Sequence, residues 1–525
     1  MAFSKEDSTS GVSRRAVVAG GFALAAARPA FAAGSGTVRA PAGDFAGVAE
    51  RGVTSFKGIR YGRAERFRAP VAVATPGRTV PAQRFGPICP QKHQGDEPQS
   101  EDCLFLNVWT ADARPAAKKP VMLYIHGGAY SGGSVTDPMN DGHALAARGD
   151  VVVVTVNHRL NAFGYLYLAR LDPRFPDSGN LGQLDLILAL QWVRDNIAAF
   201  GGDPAQVMVF GQSGGGAKIA TMMGMPAAKG LFHRAATMSG QQVTASGPLN
   251  ATARTRAYLA RLGVSETNLE PLLAMPTERL VAALDAVDPI LGGGVYFGPV
   301  LDMKWLTRHP FWPDANPQGL AIPMLLGNTH DETRAFLSPD SVKVQGLSWD
   351  NLADRIAPEL RIDILPEWVV AQYRAHFPDW TPTQVFYGAT TAGRSWRGQV
   401  IEAEERARAG APGWVYQLDF GSRTDPRRGA FHTMDIPLVF GTLDAEGSQT
   451  GTGADARAAS AAMQESFVAF AKTGDPNHRG LPHWPRYALA NRSTMIFDVR
   501  SHVEDDPRRW QRELFARVPY IQPGS

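Results

Sequence analysis

Uninterrupted apolar runs in the first third of the chain predict the central sheet. Pro120 to Ile125 and Val151 to Val156 are almost wholly apolar and do not alternate with polar positions. A strand with one face in water would alternate, so these runs indicate strands buried on both faces of a parallel sheet. A similar run, Pro323 to Gly327, predicts a further buried strand later in the chain.

Apolar residues recur at helical spacing between and after these runs. The two clearest stripes are Leu186, Leu190, Val193, Ile197 and, near the C-terminus, Met463, Phe467, Phe470, Ala471. Glycines follow both stripes, where they permit the turn that ends a helix. Because strands alternate with helices throughout, we predict one α/β domain over residues 33–525, with a large, mostly parallel central sheet and helices on both faces.

The clearest chemical signal is a serine in a glycine-rich turn. Gly211-Gln212-Ser213-Gly214-Gly215 follows a short apolar strand, Val207 to Phe210, and precedes a helix-forming stretch. In this context a G-x-S-x-G motif indicates a nucleophilic serine at a tight strand-to-helix turn. The turn leaves almost no space two residues before and after the serine, which explains Gly211 and Gly215. Helix N-terminal amides would favour a developing negative charge there.

A nucleophilic serine also needs an oxyanion site, a base and an acid that orients the base. His126-Gly127-Gly128-Ala129 follows a predicted strand, and the amides of Gly128, Ala129 and Gly214 would form a three-donor oxyanion hole. The base is sought among the histidines that follow Ser213, and His432 lies on a loop before an apolar segment. Asp331 and Glu332 both follow a predicted strand, and composition does not choose between them.

Composition adds an export prediction but no sign of nucleic-acid binding. The 525-residue chain has a formal charge of +3, 44% hydrophobic residues and no basic run. Ser13-Arg14-Arg15 precedes a short apolar stretch, and Ala30-Phe31-Ala32 offers a cleavage site. We therefore predict that residues 1–32 are a cleaved export signal of the twin-arginine type, which leaves a periplasmic or secreted chain without a membrane anchor.

The two cysteines, Cys89 and Cys103, flank a polar stretch that is typical of a loop. In an exported protein such a pair most simply forms one disulfide that closes the loop. The alternative is two free thiols. A metal site is not predicted, because no histidine lies at ligand spacing from either cysteine.

Ordered motifs over nearly the whole chain after the signal resemble the type-B carboxylesterases of the α/β-hydrolase fold, the family that includes para-nitrobenzyl esterases and cholinesterases. The motifs that carry the resemblance are Phe56-Lys57-Gly58-Ile59, Arg66-Phe67, Ser100 to Trp109, His126 to Ala129, Arg159-Leu160, Gly211 to Gly215, Asp331-Glu332, Phe431-His432 and Thr473 to Asn477.

The resemblance implies roles that the residues alone left open. It implies Ser213 as nucleophile, His432 as base and Glu332 as orienting acid, with Gly128, Ala129 and Gly214 as oxyanion donors. It also implies the Cys89–Cys103 disulfide and supporting roles for Ser239 and Asp435. Ion pairs between Arg66 and Glu101 and between Arg159 and Asp185 follow from the same resemblance. No cofactor and no metal are implied.

The chain departs from its relatives beside the nucleophile, where most have Glu-Ser-Ala and this chain has Gln212-Ser213-Gly214. A buried carboxylate at position 212 would attract cationic substrates, so Gln212 predicts a preference for neutral or anionic esters. The short cysteine loop also lacks the tryptophan on which cholinesterases bind quaternary ammonium. A substitution without effect on specificity is the alternative.

The sequence therefore predicts a serine esterase that acts on small-molecule esters through an acyl-enzyme intermediate. A carbamate or amide hydrolase with the same three residues is one alternative. A non-catalytic binding protein of the cholinesterase-like type is a more remote one, because such proteins usually lack one of the three.

Overall fold

The computed structural model describes residues 36–92 and 95–524, so the export signal predicted for residues 1–32 lies outside the described residues. The strands are β1 (Thr37–Ala40), β2 (Gly43–Ala46), β3 (Val48–Glu50), β4 (Val53–Arg60), β5 (Gly62–Arg63), β6 (Val71–Ala72), β7 (Thr75–Pro81), β8 (Phe105–Thr110), β9 (Lys119–Ile125), β10 (Val152–Val156), β11 (Gly202–Gln212), β12 (Arg234–Met238), β13 (Met324–Thr329), β14 (Gly413–Leu418), β15 (Ser493–Phe497) and β16 (His502–Asp505).

Eleven of the described strands form one sheet in the order β16-β15-β14-β13-β12-β11-β9-β10-β8-β4-β3. The strands from β10 through β9 and β11 to β15 pair in parallel, and the two edges are antiparallel. β1, β2 and β7 form a small separate sheet, and β5 pairs with β6. The mostly parallel sheet predicted from the apolar runs is thereby confirmed.

The helices are α1 (His143–Gly149), α2 (Asn161–Tyr165), α3 (Leu181–Asn196), α4 (Gly214–Met222), α5 (Pro248–Leu262), α6 (Glu270–Ala274), α7 (Thr277–Ala282), α8 (Leu352–Ile356), α9 (Pro366–His376), α10 (Pro382–Thr391), α11 (Arg397–Arg408), α12 (Asp435–Phe440), α13 (Ala454–Thr473) and α14 (Arg509–Phe515). A π-helical turn, Ala392–Trp396, joins α10 to α11. The two predicted apolar stripes lie on α3, with the 3-10 turn that follows it, and on α13.

Both faces of the sheet are buried, as the unbroken apolar runs predict. Along β9, Val121 and Leu123 belong to one hydrophobic cluster, whereas Met122 and Tyr124 belong to another. A third cluster comprises α8 to α10, α14 and the segments around Leu360. The described residues form one compact unit. Within the described ranges, no helix is both long and apolar enough to span a bilayer.

Parallel pairing aligns the carboxyl ends of the central strands at one edge of the sheet. Gly211 at the end of β11 lies opposite Ile125 of β9, and Met238 of β12 lies opposite Gly327 of β13. The loops that follow these strands therefore emerge side by side. They carry the serine, the glycine loop and the acid candidates.

Candidate active site

Ser213 occupies a strained turn between β11 and α4. Its φ of +54° and ψ of −124° lie outside the regions that residues with a side chain ordinarily adopt. A Cβ atom on Gly211 would lie 2.7 Å from the carbonyl carbon of Gly215, and one on Gly215 would overlap the carbonyl oxygen of Ile125. The sequence-based prediction that both positions must lack a side chain is confirmed.

The glycine loop after β9 presents main-chain donors beside this serine. Gly128 has a φ of +87°, and a Cβ there would overlap the carbonyl oxygen of Gly132. The amides of Gly128, Ala129 and Gly214 donate no hydrogen bond to any other described residue, and all three residues line the cavity that contains Ser213. Three unpaired N–H groups beside a serine hydroxyl are the arrangement that binds an oxyanion.

A buried lysine holds this loop by a hydrogen bond to its main chain. Lys218 of α4 is fully buried, and its Nζ donates a 2.6 Å hydrogen bond to the carbonyl oxygen of Ala129. The ammonium also lies 5.2 Å from the centre of the Tyr130 ring. No carboxylate pairs with it among the residues that the structure describes, and burial lowers the pKa of Lys218 to about 7.

Glu332 and His432 are in direct contact, although a hundred residues separate them in the chain. The imidazole Nδ1 faces Glu332 Oε2, while Oε1 accepts hydrogen bonds from Asn328 Nδ2 (2.9 Å) and from the amide of Thr329 (2.8 Å). Burial alone would raise the pKa of the Glu332 carboxyl, but His432 and these polar neighbours hold it below its ordinary value.

This contact fixes which nitrogen of His432 is available for chemistry. A proton on Nδ1 is donated to the carboxylate, so the neutral ring keeps its lone pair on Nε2. Nε2 is buried and has no hydrogen-bond partner among the described residues. His432 and Ser213 line the same cavity, and no direct hydrogen bond joins them within the described part of the chain.

The structure separates the two acid candidates. Asp331 turns away from His432, since its carboxylate accepts a 3.1 Å hydrogen bond from the amide of Ala430 and pairs with Arg334 at 3.1 Å. Glu332 alone of the two reaches the imidazole, which agrees with the role that the family resemblance implies.

The two predicted supporting residues, Ser239 and Asp435, lie near the Glu332–His432 pair, and Gln212 directly precedes the serine. Ser239 faces the Glu332 carboxylate and helps to lower its pKa. Asp435 accepts a 3.0 Å hydrogen bond from the Tyr416 hydroxyl, and burial together with Glu332 raises the pKa of Asp435 to about 7. Gln212 is buried immediately before Ser213, and its Nε2 has no partner among the described residues.

The cavity at Ser213 has a volume of about 830 Å³. Apart from the main-chain donors of Gly128, Ala129 and Gly214, it is lined by side chains. The Phe336 ring lies 4.9 Å from the His432 ring, and Arg361, Arg394 and Tyr520 also line the cavity. Sequence reasoning did not find Phe336, Arg361 or Tyr520, because each lies in a segment without a motif.

The cysteine prediction differs from the structure, in which Cys89 and Cys103 are free thiols and both are buried. The predicted disulfide is therefore not formed. The two side chains nevertheless interact. The Cys89 sulfur, followed by burial, raises the pKa of the Cys103 thiol well above its ordinary value.

Both predicted ion pairs are present. The Arg66 guanidinium binds Glu101 with Nε 2.9 Å from Oε2, and its Nη1 also donates to main-chain carbonyls before α7. Arg159 and Asp185 form a buried bidentate pair at 2.7 and 2.9 Å. None of the four side chains in these pairs lines the cavity that contains Ser213.

Comparison with known proteins agrees with this geometry. The model of the Carboxylesterase family matches residues 34–514. The para-nitrobenzyl esterase of Bacillus subtilis (strain 168) is 35% identical over 90% of this chain and 96% of its own length. The phenmedipham hydrolase of Pseudarthrobacter oxydans is 30% identical over 91% and 97%. 

Solved structures give the same result. The carboxylesterase EST55 of Geobacillus stearothermophilus, determined at pH 6.2, superposes with a TM-score of 0.82 at 36% identity and covers 91% of this chain and 99% of its own. A structure entitled PNB esterase gives a TM-score of 0.78 at 35% identity, with the same coverage. The fold is that of the α/β hydrolases, and the chain belongs to the carboxylesterase family.

Proposed function

We propose that the protein hydrolyses carboxylic esters with Ser213 as nucleophile, His432 as general base and Glu332 as the acid that orients it. One observation carries the proposal. The imidazole that Glu332 holds by Nδ1 presents a partner-free Nε2 to the cavity that also contains Ser213 and three unpaired main-chain amides.

The chemistry follows in two halves. Ser213 Oγ attacks the ester carbonyl while His432 Nε2 takes its proton, and the amides of Gly128, Ala129 and Gly214 bind the oxyanion. The intermediate expels the alcohol, which receives the proton from His432, and an acyl-serine ester remains. Water then gives its proton to His432 as it attacks the acyl carbon, and the second intermediate releases the carboxylic acid and restores Ser213.

The direct test is Ser213→Ala assayed with p-nitrophenyl acetate. Removal of a triad nucleophile costs about 10⁶-fold in kcat in well-studied serine hydrolases, so activity should fall to the background rate. Ser265→Ala, on an exposed loop, is the matched control and should keep wild-type activity. A fluorescent organophosphonate should label the wild type and not Ser213→Ala. Turnover near the parent rate in Ser213→Ala would refute the assignment.

Neutral and anionic esters are the proposed substrates in preference to cationic ones. Gln212 supports this, because a buried amide beside Ser213 replaces the negative charge that a carboxylate would place there. Butyrylthiocholine should therefore be hydrolysed more slowly than its neutral isostere, 3,3-dimethylbutyl thiobutyrate. Equal rates would remove this part of the proposal.

Amide and carbamate hydrolysis by the same residues is the alternative, since His432 can protonate a leaving amine as it does an alcohol. Two relatives are named phenmedipham hydrolase and probable N-octanoylanthranilate hydrolase. Rates with p-nitrophenyl acetate and p-nitroacetanilide decide between ester and amide hydrolysis. The ester proposal expects turnover of the ester alone. Faster turnover of the anilide would favour the amide alternative.

We also propose that residues 1–32 direct export. The paired arginines before a short apolar stretch support this proposal. Cell fractionation of wild type and an Arg14→Lys, Arg15→Lys variant tests the route. Export of the variant at the wild-type level would contradict the twin-arginine route.

A further inference from the structure

Two arginines line the catalytic cavity with too few carboxylates to balance them. Arg361 and Arg394 both face the cavity that contains Ser213. The Arg394 guanidinium lies 5.1 Å from the centre of the Phe336 ring, and that ring contacts His432. One aromatic ring therefore separates this positive charge from the catalytic imidazole.

The acidic groups around these arginines are already engaged. Glu359 binds Arg394 Nη1 at 2.9 Å, but it also binds Lys343 Nζ at 2.6 Å. Asp288 is the acidic residue that lines the cavity, and its carboxylate accepts hydrogen bonds from Arg254 Nε at 2.7 Å and from loop amides. Two cations thus share one carboxylate, and the other carboxylate has its own arginine.

Arg361 is left without a partner by this arrangement. Its guanidinium makes no hydrogen bond and no ion pair with the described residues, and its Nε is fully buried. Its main chain is nevertheless held on both sides, since its amide donates to Gly393 (2.9 Å) and its carbonyl accepts from Ile521 (2.7 Å). The neighbouring Leu360 and Ile362 are buried in the third hydrophobic cluster.

The two guanidinium groups also act on each other. Burial, followed by the charge of Arg361, lowers the pKa of Arg394, which outweighs the effect of Glu359. A rigidly held, partly buried arginine that lacks a carboxylate partner and adjoins a second arginine is an arrangement that a planar anion completes, since guanidinium binds carboxylate through paired hydrogen bonds.

We propose that Arg361 and Arg394 form a carboxylate subsite of the catalytic cavity, and that the substrates include esters that carry a free carboxylate. The inference rests on the ester hydrolysis proposed above. The carboxylate of the substrate binds the two guanidinium groups while its ester carbonyl lies at Ser213. The carboxylate belongs to the acyl part or to the alcohol part of the ester, and the substrates below distinguish the two.

Matched esters at pH 7.5 test the subsite, with the released acid titrated in each case. Monomethyl adipate, methyl hexanoate and methyl 6-aminohexanoate share an acyl chain length and differ in charge. Sodium 4-acetoxybutanoate and butyl acetate form the equivalent pair for the alcohol part. In the wild type, the kcat/KM of at least one acid should exceed that of its neutral match about 10-fold or more, which is the size of one hydrogen bond to a charged group.

Substitutions then connect the preference to the arginine. Arg361→Gln should lower the acid-to-neutral ratio of kcat/KM by about 10-fold, mainly through KM, and Arg361→Lys should keep part of it. Arg500→Gln, an exposed arginine outside the cavity, removes the same charge and should keep the wild-type ratio. Melting curves of all variants establish that each is folded.

The outcomes separate this inference from the proposed function. If neither acid is preferred in the wild type, or if the ratio is the same in Arg361→Gln and Arg500→Gln, the carboxylate subsite is refuted while ester hydrolysis stands. If no neutral ester is turned over and no organophosphonate label appears, the proposed function itself fails. If Arg361→Gln does not fold, the acid-to-neutral ratios of the wild type still test the subsite. The subsite requires a ratio that decreases with added NaCl, because a charge contact weakens as salt increases.

Discussion

The two walls of the catalytic cavity are built by different means. The main-chain wall comprises Gly128, Ala129, Ser213 and Gly214, and it offers amide donors from turns in which side chains would clash. The side-chain wall comprises Phe336, Arg361, Arg394 and His432, and it offers an aromatic ring, two guanidinium groups and an imidazole. In the proposed reaction, the first wall binds what every ester has, a carbonyl oxygen, and the second contacts the parts that differ between esters.

This contrast indicates where specificity can change. The main-chain wall tolerates few substitutions because its function depends on backbone positions that larger residues would displace. The two arginines of the side-chain wall lie on segments that pack in the third hydrophobic cluster, which includes Leu360, Ile362 and Ala392. An exchange of one side chain there alters charge without moving the oxyanion donors.

Among substitutions beside the two walls, the largest effect is expected for Glu332→Gln, because Glu332 contacts His432 of the side-chain wall. In this variant the amide oxygen keeps the hydrogen bonds from Asn328 and Thr329, so the amide NH2 faces His432 Nδ1. His432 then carries its proton on Nε2, the wrong tautomer for a base, and kcat should fall about 10³- to 10⁴-fold. Asp331→Asn is the matched control, since Asp331 contacts Ala430 and Arg334 rather than the imidazole, and it should lose less than about 10-fold. Steady-state hydrolysis of p-nitrophenyl acetate measures both. A reversed order would give the orienting role to Asp331.

A smaller effect is expected when the support of the main-chain wall is removed in Lys218→Met. The variant loses the hydrogen bond to the Ala129 carbonyl, so the oxyanion donors are held less firmly and kcat should fall about 10-fold, the size of one hydrogen bond to a charged group. Thermal stability should be unchanged or higher, because a buried amine without a carboxylate partner is costly.

Lys229→Met, an exposed lysine after α4, should change neither property. A drop in kcat together with a drop in melting temperature of Lys218→Met would mean that Lys218 stabilises the fold rather than positions the loop.

The third effect is on stability and concerns a buried carboxyl that is connected to the main-chain wall. Glu402 of α11 accepts a 2.7 Å hydrogen bond from the amide of Gln242, whose side chain accepts one from Tyr130 next to the main-chain wall. Burial raises the pKa of Glu402 from 4.5 to about 8. Because the folded state holds this proton more tightly than the unfolded chain, its contribution to stability is complete below pH 4.5 and is lost as the pH rises to 8.

Glu402→Gln should remove this dependence. Its free energy of unfolding relative to wild type should increase by about 2–4 kcal/mol between pH 5 and pH 8, since one pKa unit corresponds to about 1.4 kcal/mol. The melting temperature should shift by a few degrees for a chain of this size. Glu65→Gln, at an exposed position, should show no such change. If the difference in free energy of unfolding between Glu402→Gln and wild type does not change with pH, Glu402 is not the titrating group.

Short-range patterns alone defined the fold class and the main-chain wall. Two-sided burial makes a parallel strand an unbroken apolar run, and a turn without space for side chains requires glycine, so β9, β10, Gly211 and Gly215 were all predictable. Each of these constraints acts within a few residues and therefore appears as a local motif.

The side-chain wall and the carboxylate that contacts its histidine depended on tertiary structure. Asp331 and Glu332 are adjacent and chemically alike, and only the path of the chain past Ala430 turns one carboxylate away from His432. Arg361 lies in no motif, and its importance comes from the absence of a carboxylate partner among the described residues, which depends on segments far apart in the chain. Charge balance in a cavity is a property of neighbours in space, so the order of residues does not reveal it.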